Sequence, residues 1–393
     1  MPDLSGLHQA LADRKAQQLW RQPPVLESAQ GVLVQVAGRE IINFCSNDYL
    51  GLAADPRLEE ALIEGVKRWG AGSGASHQVC GHQHPHKQLE ERLAELTGRK
   101  AALTFSSGYL ANLAAVQTFV GRGDQVFQDR LNHASLLDAG LACGARFRRF
   151  KHLDYSHLES LLNQASSGHQ LIVSDGVFSM DGDQADLRQL VATAERHQAW
   201  LLIDDAHGIG VLGSRGEGLV SHDFTTQQIP LLTGTLGKAL GSSGAFIAGD
   251  QVVIDYLRQF ARQYIYTTAQ PAAQACATLK SLDILEKEPE RRWTLLQRMK
   301  SFRHKALAAG LNLMDSVTPI QPLMLGSNEQ ALQWSKALYD RGFLVTAIRP
   351  PTVPPGTARL RITLSALHTE EQIRLLVEAL AELKAQEPER WNT

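Results

Sequence analysis

One lysine stands in an unusual setting in this sequence. Lys238 lies in the stretch TGTLGKALGSSG, and no acidic residue of that stretch can pair with it. A P-loop requires an earlier glycine and a Ser or Thr after the lysine, but Leu232 and Ala239 occupy those two positions. Two interpretations remain: a Schiff-base lysine on a tight turn that a flat cofactor can approach, or an ordinary loop lysine.

Two acids and a histidine follow an apolar run in the segment AWLLIDDAHG. Asp204 and Asp205 end the predicted strand, and His207 follows them. Successive side chains of a strand point to opposite faces, so one acid can face a ligand while the other turns away. A pyridoxal phosphate enzyme needs an acid against the pyridine nitrogen, because the protonated ring is its electron sink. The alternative is a helix cap beside a solvated acid.

The segment GIGVLG, residues 208–213, supports a rival hypothesis, a dinucleotide-binding oxidoreductase, because it matches the G-x-G-x-x-G pattern. Asp204, Asp205 and His207 come between the apolar run of the strand and the first glycine of the motif. The following SRGEGLVSHDF is typical of a loop, whereas the fingerprint requires a helix. No acid ends a strand about 20 residues further on, which also disfavours this hypothesis.

Two further segments have the composition of ligand-binding loops. FSSGYLANLAAV, residues 105–116, predicts a small-residue turn that opens a helix, whose free N–H groups suit a phosphate. A capped core helix is the alternative. SDGVFSMDGD, residues 174–183, predicts a polar loop after a strand. That loop brings Ser179 to the ligand-bearing end of the predicted sheet.

Two clusters raise other functions. The segment HQVCGHQHPH offers five possible metal ligands: His77, Cys80, His82, His84 and His86. Pro85 interrupts the pattern and a helix begins at once, so we expect no metal site. RFRRFK, residues 146–151, mixes basic and aromatic residues as RNA-binding surfaces do. A net charge of −2 favours an exposed strand, and we expect no nucleic-acid partner.

The elements that must position these residues follow one pattern from about residue 100 to 250. Short apolar runs such as QVFQD, QLIVSD and IPLLTG alternate with helix-period segments such as HLESLLNQASS and LRQLVATAERHQ. This alternation predicts an α/β fold with a mostly parallel central sheet and helices on both faces, where ligands bind at the carboxyl ends of strands. We predict an N-terminal helix with short strands (1–48), a large α/β domain (49–285) and a smaller C-terminal α+β domain (286–393).

Composition limits the cellular setting. Hydrophobic residues make up 44% and charged residues 20% of the 393, as in soluble globular proteins. The N-terminal segment lacks an unbroken apolar run and is expected to form an amphipathic helix, not a signal peptide. Polar residues interrupt the uncharged residues 101–121, so we expect no membrane span. Four widely separated cysteines predict no disulfide framework and a cytoplasmic location.

The motifs together identify a family. The chain resembles the α-oxoamine synthases, pyridoxal phosphate enzymes of fold type I, from about residue 10 to 385. The resemblance rests on SNDYLGL, DGVFSMDGD, DDAHGIGVLG, TLGKALG and AIRPPTVPPGTARLRITLSA. It implies a fold type I transferase with pyridoxal 5'-phosphate as its cofactor, and it makes Lys238 the residue that binds this cofactor covalently.

The resemblance also implies the roles of other cofactor-binding residues. His133 should stack on the cofactor ring and contact substrate, Asp204 should pair with the pyridine nitrogen, and His207 should hydrogen-bond the phenolic oxygen. Lys238, His133, Asp204 and His207 form the implied catalytic set. Further implied cofactor contacts are Gly108, Tyr109, Ser179 and Thr235, the last for the phosphate.

A second subunit and the substrates complete the implied site. The family resemblance predicts a homodimer with shared active sites. The residues expected from the second subunit are Tyr266, Thr267 and Thr268. Asn47 and Arg361 should hold the amino-acid carboxylate, and Arg21 and Thr352 should face the acyl substrate.

The proline-rich motif is the most specific part of the resemblance. It favours the member that condenses L-alanine with a pimeloyl thioester, with loss of CO₂, in biotin synthesis. Three sister activities remain as alternatives: glycine C-acetyltransferase, 5-aminolevulinate synthase and serine palmitoyltransferase. A binding site for the distal pimeloyl carboxylate needs a cation. Arg21 is the residue we expect there, because its planar fork matches a carboxylate.

Overall fold

The computed structural model describes residues 4–165 and 168–386. These residues form two compact units. The larger unit contains Asn47–Ser179 and Asp183–Trp293. The smaller unit contains the described residues up to Ser46, the segment Met180–Gly182 and the described residues from Thr294 onward. The N-terminal and C-terminal segments, which the sequence analysis treated as separate ranges, therefore belong to one unit.

The strands are short and are separated by helices through most of the larger unit. In chain order they are β1 (Leu33–Val36), β2 (Arg39–Asn43), β3 (Ala101–Phe105), β4 (Gln125–Asp129), β5 (Arg146–Phe150), β6 (Gln170–Asp175), β7 (Trp200–Asp204), β8 (Leu231–Thr235), β9 (Ala245–Gly249), β10 (Ile320–Gly326), β11 (Phe343–Leu344), β12 (Thr346–Ile348) and β13 (Ala358–Thr363).

The helices follow the predicted alternation. In chain order they are α1 (Ser5–Ala16), α2 (Pro56–Trp69), α3 (His84–Thr97), α4 (Gly108–Gln117), α5 (Ala134–Ala142), α6 (Tyr155–Leu162), α7 (Leu187–His197), α8 (Gln251–Phe260), α9 (Arg262–Ile265), α10 (Ala272–Lys287), α11 (Glu290–Ala308), α12 (Asn328–Asp340) and α13 (Glu370–Ala385). A π-helical turn, His77–Gly81, precedes α3.

The sheet of the larger unit has the strand order β3-β9-β8-β7-β6-β4-β5. Strands β4 to β8 pair in parallel, whereas β9 is antiparallel to both of its neighbours. This confirms the mostly parallel α/β fold. Strands β4, β7 and β9 are almost wholly buried, and β7 and β9 are mostly apolar, as expected for strands covered on both faces. The catalytic candidates follow the ends of β4, β6, β7 and β8.

Local sequence explains where several helices begin. Ser107, Asp186 and Asp250 precede α4, α7 and α8, and each accepts a hydrogen bond from a backbone N–H of the first turn. The segment after GIGVLG forms turns and bends, so this motif does not open a helix as a dinucleotide fingerprint would. Strand β5 lies at the sheet edge, with Arg146 and Arg149 exposed, as predicted for RFRRFK.

The smaller unit is built on two short sheets, ordered β1-β2-β11 and β10-β13-β12. Strands β10 (IQPLMLG) and β13 (ARLRIT) occur together with helices α11, α12 and α13, in agreement with the α+β character expected of the C-terminal part. Helix α1 forms as predicted, but no residue of it is buried; Leu7 is 62% exposed. Among the described residues, no helix combines the length and apolar character that a membrane span needs.

Candidate active site

A cavity of about 220 Å³ opens at the carboxyl ends of the parallel strands in the larger unit. Its lining includes eight of the residues expected to bind the cofactor: Gly108, Tyr109, His133, Ser179, Asp204, His207, Thr235 and Lys238. They come from four strand ends and one helix start because parallel strands all end at the same edge of a sheet. Asn112, Ser135, Asp175 and Thr233 also line the cavity, and sequence analysis did not single them out.

The lysine that opened the sequence analysis is paired with a histidine. Lys238 Nζ lies 3.0 Å from His207 Nε2. On its other side, His207 Nδ1 lies 2.7 Å from the Tyr49 hydroxyl, which donates to Asn47 Oδ1 at 3.2 Å. His207 thus contacts the Tyr49 hydroxyl through Nδ1 and the Lys238 amine through Nε2.

Glycines make the tight turn after Lys238 possible. Gly241 has φ +59°, and its N–H donates to the Lys238 carbonyl at 2.8 Å. A Cβ on Gly241 would lie 2.4 Å from the Leu52 carbonyl carbon, and a Cβ on Gly244, at φ +105°, would lie 2.2 Å from the Gln270 amide nitrogen. Gly241 and Gly244 are therefore favoured by their positive φ angles and by the close packing of this turn.

The two adjacent acids have different surroundings. Asp204 lines the cavity and accepts hydrogen bonds from Asn112 Nδ2 at 2.7 Å and Ala206 N at 3.0 Å. Asp205 is wholly buried and turns away from the cavity. Its Oδ2 accepts from the backbone N–H groups of Leu219 and Val220 at 2.6 and 3.2 Å. Burial raises the pKa of Asp205 to about 7. As expected for successive residues at a strand end, Asp204 faces the cavity whereas Asp205 binds backbone N–H groups on the other side.

His133 caps the N-terminus of α5 and borders the cavity. Its ring is open to the cavity on one side, yet desolvation by the surrounding protein lowers the pKa of the imidazole. The backbone N–H of His133 donates to Asp175 Oδ2 at 2.9 Å. Burial raises the pKa of Asp175 well above its ordinary value, and the nearby Asp204 raises it further.

The N-terminus of α4 is a candidate phosphate-binding position. Gly108 and Tyr109 form its first turn, where backbone N–H groups have no intrahelical acceptor. A Cβ on Gly108 would meet no atom within 4 Å, so this edge of the cavity is open. Thr235, the last residue of β8, also lines the cavity. An amine, a carboxylate, an imidazole and a helix N-terminus around one cavity fit the aldehyde, pyridine and phosphate groups of pyridoxal phosphate.

The remaining predicted residues lie elsewhere. Tyr266 is 71% exposed, and Thr268 pairs with Ser76 in an isolated β-bridge. Neither these residues nor Thr267 line the cavity within the single chain, where a partner subunit was expected to bring them. In the smaller unit, Arg21 donates to Thr352 Oγ1 at 2.8 Å. The two residues expected to face the acyl substrate are thus in contact, 331 positions apart in the chain.

Arg361 and Asn47, the expected carboxylate-binding pair, belong to different units. Arg361 is on β13 in the smaller unit and is 7% exposed. Asn47 opens the larger unit and contacts Tyr49, as described above. Their joint role remains a prediction.

The histidine-rich segment does bring imidazoles together. Nitrogen atoms of His77, His82 and His86 lie within 4.8 Å of one another. His86 Nδ1, however, accepts from the Gln83 N–H at 3.0 Å, so its Nε2 carries the proton and donates to the Gln270 carbonyl at 2.8 Å. Both nitrogens of His86 are therefore engaged, and a metal could bind this residue only if one of these two hydrogen bonds were broken. The absence of a metal remains a prediction.

Comparison with known proteins places this site in a family. The family model for class I and II aminotransferases matches residues 39–380. The chain is 58% identical over 373 residues to an 8-amino-7-oxononanoate synthase of Pseudomonas putida, covering 95% of each chain. It is 57% identical over 383 residues to the enzyme of that name from Stutzerimonas stutzeri, covering 97% of each.

Solved structures agree on the fold. A serine palmitoyltransferase variant from S. paucimobilis, with bound PLP-myriocin aldimine, superposes with a TM-score of 0.93 at 29% identity, covering 98% of this chain and 99% of that one. An 8-amino-7-oxononanoate synthase from Francisella tularensis superposes with a TM-score of 0.78 at 31% identity, covering 88% and 99%. The fold type I architecture and the cofactor expected from the sequence are confirmed.

Proposed function

The chain belongs to the 8-amino-7-oxononanoate synthases within the class I and II aminotransferase family, and we propose that it condenses L-alanine with a pimeloyl thioester. The products are 8-amino-7-oxononanoate, CO₂ and the free thiol carrier, and the product serves biotin synthesis. Identity of 58% over 95% of both chains favours this activity over the sister synthases. In the structure, the observation that carries the proposal is Lys238 facing His207 in the cavity that Asp204 also lines.

Pyridoxal phosphate, when bound, supplies an electron sink that stabilises negative charge on the α-carbon of the amino acid. Lys238 would hold the cofactor covalently, and its amine, once free, would remove the α-proton of alanine. His207 Nε2, 3.0 Å away, orients that amine. Asp204, which accepts hydrogen bonds from Asn112 and Ala206, is the carboxylate that would pair with the pyridine nitrogen.

Bond making and breaking then follow from the substrates. The α-carbon of alanine attacks the thioester carbonyl, and the carrier leaves as a thiolate with the electron pair of the carbon–sulfur bond. The thiolate takes a proton from solvent, and the alanine carboxylate departs as CO₂. Lys238 can return the proton to the α-carbon. His133 stands over the cavity, where it can stack on the ring and donate a hydrogen bond to a substrate oxygen. Asn47 and Arg361 are the proposed partners of the alanine carboxylate.

We also propose a homodimer in which Tyr266, Thr267 and Thr268 of the partner subunit complete the site. The 71% exposure of Tyr266 in the single chain supports this, because exposed aromatic side chains are typical of interfaces. A cytoplasmic location is proposed as well, supported by the four free thiols of Cys45, Cys80, Cys143 and Cys276.

The test is a substrate matrix with the purified enzyme. Alanine, glycine and serine are each combined with pimeloyl, acetyl and palmitoyl thioesters, and products are identified by mass spectrometry. We expect turnover with alanine and pimeloyl thioester above all other pairs. Preference for serine with palmitoyl thioester, or for glycine with acetyl thioester, would assign a sister activity instead. Lys238→Ala is the matched inactive control.

A further inference from the structure

A buried hydrogen-bond network joins Asp204, at the end of β7, to His133, which follows β4. Asn112 lies on α4, is 3% exposed, and has hydrogen bonds on both ends of its amide. Its Nδ2 donates to Asp204 Oδ2 at 2.7 Å and to Ser135 Oγ at 2.8 Å. Its Oδ1 accepts from Thr233 Oγ1 at 3.0 Å. Ser135 and Thr233 are 0% and 2% exposed, so water does not compete for these bonds.

The direction of each bond is determined by its neighbours. A carboxylate only accepts, so the Asn112 amide must present its N–H₂ group to Asp204. Its carbonyl oxygen then faces Thr233, whose hydroxyl donates to it. The second N–H of Asn112 is directed at Ser135 Oγ, which accepts and keeps its own proton for another partner.

That partner is His133. Ser135 Oγ lies 2.7 Å from His133 Nδ1, and the Ser135 backbone N–H points at the same nitrogen at 3.3 Å. A nitrogen that receives a backbone N–H cannot itself carry a proton. His133 is therefore neutral with its proton on Nε2, the ring nitrogen that these contacts leave available to the cavity.

We propose that Asn112 is a positioning residue that couples the two halves of the site: it holds Asp204 as a hydrogen-bonded carboxylate and, through Ser135, keeps His133 as the Nε2–H tautomer. This deepens the proposed function, on which it rests for the identity of the cofactor. His133 then presents a hydrogen-bond donor to the oxygens of the substrate or the thioester carbonyl. The donor that supports Asp204 is the neutral amide of Asn112.

The experiment tests the effect of Asn112 on Asp204 separately from its effect on His133. Pyridoxal phosphate is titrated into the apo-enzymes of wild type, Asn112→Ala, Thr233→Val and Ser135→Ala, with affinity read from the visible absorbance. Thr97→Val, which removes a buried hydroxyl that donates within α3, is the matched control for Thr233→Val. Thermal unfolding establishes that each variant is folded, and Thr233→Val keeps the test decisive if Asn112→Ala does not fold.

We expect Asn112→Ala to weaken cofactor binding about 10- to 150-fold, as for the loss of a hydrogen bond to a charged group. Thr233→Val should weaken it about 2- to 10-fold, because it removes a neutral bond that orients the amide. Ser135→Ala should leave cofactor affinity within about twofold but lower kcat several-fold, since only the His133 branch is affected.

Nitrogen-15 NMR of histidine-labelled wild-type apo-enzyme reads the tautomer directly. We expect an unprotonated Nδ1 and a protonated Nε2 for His133 at neutral pH. A protonated Nδ1 overturns the proposal, and so does an Asn112→Ala or Thr233→Val affinity equal to that of Thr97→Val. Neither the NMR spectrum nor the cofactor titration needs substrate. A wild-type enzyme inactive on alanine and pimeloyl thioester would therefore refute the proposed function and leave this inference to its own tests.

Discussion

Replacing each of the two adjacent acids by asparagine should have opposite consequences. In Asp204→Asn, the side chain can no longer accept from both Asn112 Nδ2 and Ala206 N, because one oxygen becomes a donor. It also loses its charge toward the pyridine nitrogen. A lost charge-assisted bond costs about 1.5–3 kcal/mol, so kcat/KM should fall at least about 10- to 150-fold.

Asp205→Asn should keep activity and change stability instead. The amide oxygen can retain both bonds from Leu219 and Val220, and the amide nitrogen replaces Oδ1, which has no hydrogen-bond partner among the described residues. Burial raises the pKa of Asp205 from 3.8 to about 7, so ionisation costs the folded state about 4 kcal/mol.

The sign of the pH dependence follows from that raised pKa. Between pH 3.8 and about 7 the folded state binds the proton of Asp205 more than the unfolded state does, so its contribution to stability falls as pH rises. Asparagine does not titrate. Relative to Asp205→Asn, the wild-type enzyme should therefore lose about 3 kcal/mol of unfolding free energy between pH 5 and pH 8.

Two assays check this. Urea unfolding at pH 5, 6.5 and 8 measures the stability of wild type and Asp205→Asn, and steady-state kinetics measures all three enzymes at pH 8. Equal losses of kcat/KM in Asp204→Asn and Asp205→Asn would show that the geometric separation of the two acids does not matter for catalysis. A stability difference that does not vary with pH would refute the titration of Asp205.

The remaining predictions concern the lysine, the dimer, the histidine segment and the acyl site. Lys238→Ala should bind pyridoxal phosphate without a covalent bond, so borohydride should not attach the cofactor, and turnover at the wild-type level would remove this lysine from the mechanism. Mixing Lys238→Ala with a defective Thr268 variant should restore part of the activity in heterodimers; no recovery in demonstrated heterodimers contradicts a shared site. Elemental analysis should find no stoichiometric metal on residues 77–86, whereas one zinc per chain with EDTA-sensitive activity would contradict this. Arg21→Ala, which removes the partner of Thr352, should raise KM for pimeloyl thioester about 10- to 150-fold and spare an uncharged thioester of similar length; equal effects on both would exclude Arg21 as the specificity residue.

Much of the site was predictable because its chemistry is local to short segments. Three segments have a composition that ordinary loops rarely need: the stretch around Lys238, which contains no acid, the Asp204–His207 segment, and the small-residue start of α4. Their assembly into one cavity follows from a single fold-level fact: parallel strands end at the same edge of a sheet. A sequence that alternates strands and helices therefore predicts both the residues and their approximate meeting place.

Only the tertiary structure decided how these residues are held. Asn112 looks like one polar residue in an apolar helix, and its partners Ser135, Asp204 and Thr233 are 23, 92 and 121 positions away in the chain. Hydrogen-bond direction depends on which donors and acceptors face each other across elements, and no periodicity along the chain encodes that. His86 shows the converse, since its spacing suggested a ligand while both of its nitrogens are already bonded to backbone groups. Residue types and spacing determined what chemistry this protein can perform, whereas packing between distant segments determined the protonation and orientation of the groups that perform it.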